Sequence, residues 1–125
     1  MMKTSLAIIA LFGGITVIMG AIGSHALKET LSPEDMQSYN TAVYYQMIHL
    51  IVLLALNISN YFSADIISKV NWIFAIGILL FSGSIYVFKF TSLSPKTFWY
   101  VTPLGGFTLI GGWFTLAYFF LKQST

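Results

Sequence analysis

LAIIALFGGITVIMGAI, residues 6–22, contains no charged side chain. A helix needs roughly 20 mostly apolar residues to cross the hydrocarbon of a bilayer, so this run reads as a membrane span. Three further windows of the same character follow it, and together they place spans at about 6–24, 40–60, 70–89 and 99–121. Only short tails and connections remain. The expected fold class is an all-α integral membrane protein: a single domain over 1–125 built as an antiparallel bundle of four transmembrane helices.

Composition supports this and narrows the function classes. Of 125 residues, 57% are hydrophobic and 8% charged, against about 25% charged in ordinary soluble domains. The chain has no Cys, which excludes disulfides, thiol chemistry and cysteine-ligated metals. Its net charge of +2 comes from scattered lysines without a basic run, so no nucleic-acid partner is expected. All four acids, Glu29, Glu34, Asp35 and Asp65, lie outside the apolar windows.

The connections carry local signals. Ser32 suits a helix N-cap, Pro33 the first helical position, and Glu34 with Asp35 the positive end of the helix dipole. The second helix is therefore expected to begin ahead of its apolar window. Residues 63–69 read as a short polar loop, and Ser94-Pro95 as a stop after the third span. Trp72, Trp99, Tyr100, Tyr61 and Tyr118 fall near span ends, where aromatic rings anchor at the headgroups. Four crossings place both termini on one side. Lysines near the span ends are evenly divided between the two sides, and Lys3 ahead of the first span tips that side towards the cytoplasm of a cell membrane.

Within lipid, helices associate through close packing at small residues and through hydrogen bonds. Gly13, Thr16, Gly20 and Gly23 share one face of the first span, and Gly105, Thr108, Gly112 and Thr115 share one face of the fourth. Gly13, Gly20, Gly23, Gly105 and Gly112 are accordingly the expected helix-packing positions. On the second span, Gln46, His49, Leu53, Asn57 and Asn60 form a stripe that is polar except for Leu53. Such a stripe should face protein or water.

His49 is the sharpest candidate, because an ionisable group at mid-membrane depth either serves a function or is neutral and hydrogen-bonded across helices. Counting depth from each window centre aligns it with Thr16, Ser82 and Thr108, with Gln46 and Tyr86 a turn away and His25 and Thr102 at the mouth. The candidate site is a polar vestibule made of His25, Gln46, His49, Ser82, Tyr86 and Thr102. His25 and His49 differ in depth by about 15 Å, too far to ligate one iron, and no intramembrane carboxylate completes a metal site. No catalytic residue, metal or cofactor is expected, and the chain does not read as an enzyme. It reads as a binding or assembly module for a membrane lipid, small molecule or membrane partner, including a homo-oligomer. The alternative is a small transporter or proton-linked carrier using His49.

Four ordered stretches, GAIGSHAL at 20–27, YYQMIHL at 44–50, LLFSGSIY at 79–86 and TPLGGFTLIGGW at 102–113, resemble the small membrane family known as domain of unknown function 423, the YgdD-like proteins. The resemblance covers nearly the whole chain and implies a multi-pass membrane protein. It implies no activity, site residue or cofactor. All four stretches fall wholly or mainly in the membrane half that holds the candidate vestibule.

Overall fold

A computed structural model describes residues 2–123. The described chain is helical with no strand. Its elements are α1 (Met2–Ile22), α2 (Pro33–Ile58), α3 (Ala64–Ile78), α4 (Ser84–Phe90) and α5 (Val101–Gln123). A π-helical turn, Gly23–Leu27, extends α1, and a second, Leu79–Gly83, joins α3 to α4 as one continuous rod. Among the described residues four rods are long and apolar enough to cross a membrane: Lys3–Leu27, Pro33–Ile58, Ala64–Phe90 and Val101–Gln123.

The helix starts follow capping chemistry. Ser32 Oγ accepts from the Asp35 backbone N–H at 3.1 Å, with Pro33 at the first position and Glu34 and Asp35 in the first turn. α2 thus begins well before its apolar window. The same device acts where a loop was expected at 63–69: Ser63 caps the Ile66 N–H and Asp65 lies in the first turn, so α3 begins at Ala64. Hydropathy marks the hydrocarbon and misses helical turns outside it, which is why that segment reads as a loop. α5 starts at Val101, leaving Trp99 and Tyr100 in the connection before it.

Packing places the α3–α4 rod centrally. It contacts α2 on one flank and α5 on the other, while α1 lies against α2 alone. The apolar core gathers Leu50, Leu53 and Leu56 of α2, Val70, Phe74 and Ile78 of α3, and Leu109 and Leu116 of α5, with Ile9 and Phe62 at its margins. Close approach is concentrated at particular glycines. A Cβ on Gly105 would lie 2.2 Å from the Phe81 backbone nitrogen, so α5 rests directly on the second π turn. A Cβ on Gly112 would meet the Phe74 ring at 2.8 Å, and one on Gly23 the Tyr39 ring at 2.5 Å. Gly20 faces Val43 at an ordinary 3.6 Å. Gly13 departs from the expectation: nothing lies within 4 Å of its Cβ position, although Ile9 and Thr16 on the same face are buried.

Both π turns have hydroxyls that hydrogen-bond to carbonyls beside them. The Tyr39 hydroxyl donates to the Met19 carbonyl just before the first. Ser84 Oγ donates to the Phe81 carbonyl at 2.9 Å inside the second. The Phe81 carbonyl also accepts from the Ser84 backbone N–H, so the hydroxyl adds a second bond at the irregular turn.

Candidate functional site

α2 and the α3–α4 rod meet along a polar seam. At its loop end, the Lys89 ammonium lies 2.5 Å from Asp35 Oδ1, tying the start of α2 to the end of α4. Deeper in, the Tyr86 hydroxyl donates to Gln46 Oε1 at 2.6 Å, and the Ser82 hydroxyl to the Ala42 carbonyl at 2.7 Å. Ser82 can reach across because it sits in the π turn, fully buried against α2. Tyr39 packs its ring against those of Tyr86 and Phe90.

His49 closes this seam at mid-depth. It is 5% exposed. Its Nδ1 lies 2.6 Å from the Tyr45 carbonyl, and Nε2 accepts from the Trp113 indole N–H at 3.0 Å. A carbonyl can only accept and an indole N–H can only donate, so the arrangement requires a neutral ring with its hydrogen on Nδ1. Phe74 and Trp113 surround the imidazole, with ring centroids at 5.4 and 5.9 Å. The backbones of α2 and α5 are not neighbours at this level, so the His49–Trp113 bond spans the gap between them.

Below His49 the seam turns apolar, through Leu50, Leu53, Leu56 and Val70. Polarity resumes at the far end, where Asn57 and Asn71 exchange two amide hydrogen bonds, at 2.7 and 3.0 Å. Among the described residues no buried side-chain nitrogen or oxygen lacks a partner.

The expected vestibule residues therefore separate into three sets. Gln46, His49, Ser82 and Tyr86 come together, but paired into a packed seam instead of lining an open cavity. Thr102 lies in the α4–α5 contact, its hydroxyl 2.6 Å from that of Ser84. His25 is exposed in the middle of the first π turn, apart from the seam. Of the expected stripe, Gln46, His49, Leu53 and Asn57 are buried on α2, and Asn60 lies past its end and is exposed. Thr108 bonds to its own helix at the Leu104 carbonyl, 2.8 Å away.

Trp113, the one cross-helix partner of His49, was not expected. Depth counting aligns it roughly with His49, but sequence periodicity does not fix the rotation of α5 about its axis.

The comparisons with known proteins accord with this architecture. The family model described as Protein of unknown function (DUF423) matches residues 19–106. A UPF0382 membrane protein of Haemophilus influenzae is 37% identical over 96% of this chain and 95% of its own length. One from Staphylococcus saprophyticus is 34% identical over 92% of this chain and 94% of its own. The UPF0382 inner membrane protein YgdD of Escherichia coli is 35% identical over 83% of this chain and 79% of its own. No solved structure matches the chain. The matched segment reaches from the end of α1, through both π turns and the α2 side of the His49 seam, to Gly105 at the start of α5, and with relatives this similar along their length the chain is a membrane protein belonging to the DUF423 family.

Proposed function

We propose that this protein is a non-catalytic membrane assembly module that packs side by side with a second copy of itself through the outer face of the first half of α2. The observation that carries this reading is a polar stripe turned away from the rest of the chain. Gln37, Asn40 and Tyr44 lie on that face and are exposed. The side-chain amides of Gln37 and Asn40 have no hydrogen-bond partner within the described chain. Thr41 spends its hydroxyl on the Gln37 carbonyl of its own helix, at 3.0 Å.

Asn40 is five residues further into the membrane than Asp35, about 8 Å at helical rise. An amide there loses water and gains nothing from lipid, so a partner that supplies hydrogen bonds is favoured. A second copy supplies them at the same depth without further design. The Asn side chain is both donor and acceptor, and across a two-fold axis it pairs with itself, as Asn57 and Asn71 do inside the chain. The stripe is uncharged, so juxtaposing two copies brings no like charges together. A carrier turning on His49 draws less support, since both ring nitrogens are engaged and its surroundings are packed.

Because the chain has no Cys, one introduced thiol reports on one surface. Asn40→Cys should give a cross-linked dimer on mild oxidation in native membranes. Phe114→Cys, on the exposed side of α5, should not. Asn40→Leu should shift the unoxidised protein towards monomer by native mass spectrometry. A monomeric wild type, with cross-linking at residue 40 no greater than at 114, would refute the assembly reading.

A further inference from the structure

We propose that the cleft between α4 and the connection at 91–100 binds one acyl chain of an anionic phospholipid. This goes beyond self-assembly and concerns a different surface. The cleft has a volume of about 410 Å³, and Leu79, Gly83, Val87, Leu93, Phe98 and Val101 account for most of its lining. That volume falls within the range of roughly 300–1,000 Å³ typical of ligand clefts.

Its chemistry selects hydrocarbon. The one hydroxyl-bearing residue in the lining, Ser84, has its Oγ held by the Phe81 carbonyl at 2.9 Å and by Thr102 Oγ1 at 2.6 Å, so the wall offers no free polar group. An occupant that needed hydrogen bonds would leave them unmade. Gly83 opens the floor: nothing lies within 4 Å of its Cβ position, although it sits in the π turn that elsewhere packs tightly on α5. From Leu79 to Val87 the floor runs eight residues along the rod, about 12 Å, from mid-membrane towards the loop side. That is a path for a flexible chain entering sideways. A spanning helix is disfavoured because Leu93 and Phe98 of the connection line the loop-side end.

The headgroup preference comes from Lys96, two residues from Phe98. Its side chain is exposed and has no ion-pair partner among the described residues, whereas Lys89 is held by Asp35. Trp99 and Tyr100, both exposed, follow at the headgroup level. An exposed ammonium two residues along the chain from a lining side chain complements a lipid phosphate with net negative charge.

The test uses the full chain reconstituted in phosphatidylcholine nanodiscs containing phosphatidylglycerol with a photoactivatable diazirine on its acyl chain. After photolysis, peptide mapping should find adducts concentrated on Leu79, Gly83, Val87 and Phe98. Adducts spread evenly over these and the exposed apolar faces of α1 and α5 would mean annular lipid only and overturn the proposal. Native mass spectrometry of the protein released into detergent should show one retained phosphatidylglycerol. Gly83→Leu, or Val87→Phe one turn along the same floor, should weaken that retention about tenfold, equivalent to 1.4 kcal/mol. Lys96→Gln should keep a lipid but lose the preference for phosphatidylglycerol over phosphatidylcholine. Undiminished retention in both filled variants would also overturn it. If neither variant folds, the adduct map of the wild type decides the question alone. None of these readouts depends on whether Asn40 cross-links.

Discussion

At the scale of single residues, two glycines from similar sequence patterns meet opposite surroundings. Gly105 lies on backbone: its missing Cβ would be 2.2 Å from the Phe81 nitrogen and 2.6 Å from the Leu80 carbonyl carbon. Backbone cannot rotate away as a side chain can, so Gly105→Ala has to push α5 off the π turn. Overpacking of this kind costs about 1–3 kcal/mol. Gly13→Ala meets open space and should be neutral or slightly stabilising, since Ala is favoured over Gly within a helix by up to about 1 kcal/mol. Unfolding by denaturing detergent in mixed micelles separates the two outcomes; equal losses would contradict the packing described. His49 shows a related limit of the one-dimensional pattern. The sequence reveals an imidazole at mid-depth on a polar stripe. Its neutral, doubly bonded state depends on an indole 64 residues away, and no periodicity within α2 reports that neighbour.

At the scale of elements, the spans are legible because hydrocarbon thickness imposes length and apolarity together. The cap at Ser32 is legible because its residue types are specific. The π turns are not, since a π turn differs from an α turn by one hydrogen-bond step and leaves composition unchanged. A trace survives in register: Phe74, Ile78, Ser82 and Tyr86, which are buried or paired towards α2 or α5, recur every four residues. The ordinary repeat is 3.6, so a regular helix would rotate these positions progressively off the seam. The widened turn takes up the excess and keeps Ser82 and Tyr86 facing α2. The Gln46–Tyr86 bond holds this seam and yields a coupled prediction. Gln46→Leu leaves the Tyr86 hydroxyl without its acceptor, and Tyr86→Phe leaves the amide without its donor. Each should destabilise, and the double variant should cost less than the sum by about 0.6 kcal/mol, up to roughly 1.7, the range measured for hydrogen bonds between membrane helices. Strict additivity in a double-mutant cycle would mean that the bond contributes nothing to holding α4 on α2.

At the scale of the whole molecule, the helices are unequally anchored. The α3–α4 rod is held on both sides, by the polar seam with α2 and by glycine contacts with α5, whereas α1 touches α2 alone. The expected bundle of four antiparallel helices says nothing of this inequality, because short connections establish which helices are sequence neighbours and not how many others each one touches. Ile9 and Thr16 bury α1 along its length, but its hydrogen bond to a side chain of α2 lies near its loop end. There Gly23 admits the Tyr39 ring and the Tyr39 hydroxyl donates to the Met19 carbonyl, while at Gly13 the two helices leave room. Opening free energy follows local contact, so α1 should exchange its amide hydrogens before the α3–α4 rod does. Tyr39→Phe removes the bond to Met19 and keeps the ring that fills the space over Gly23. Exchange in detergent, followed by mass spectrometry, should therefore accelerate in peptides covering residues 13–27 and remain unchanged in those covering Phe74 and Leu109. A uniform acceleration through all four rods would show that α1 opens only with the rest of the chain, and that its single-sided packing carries no independent motion.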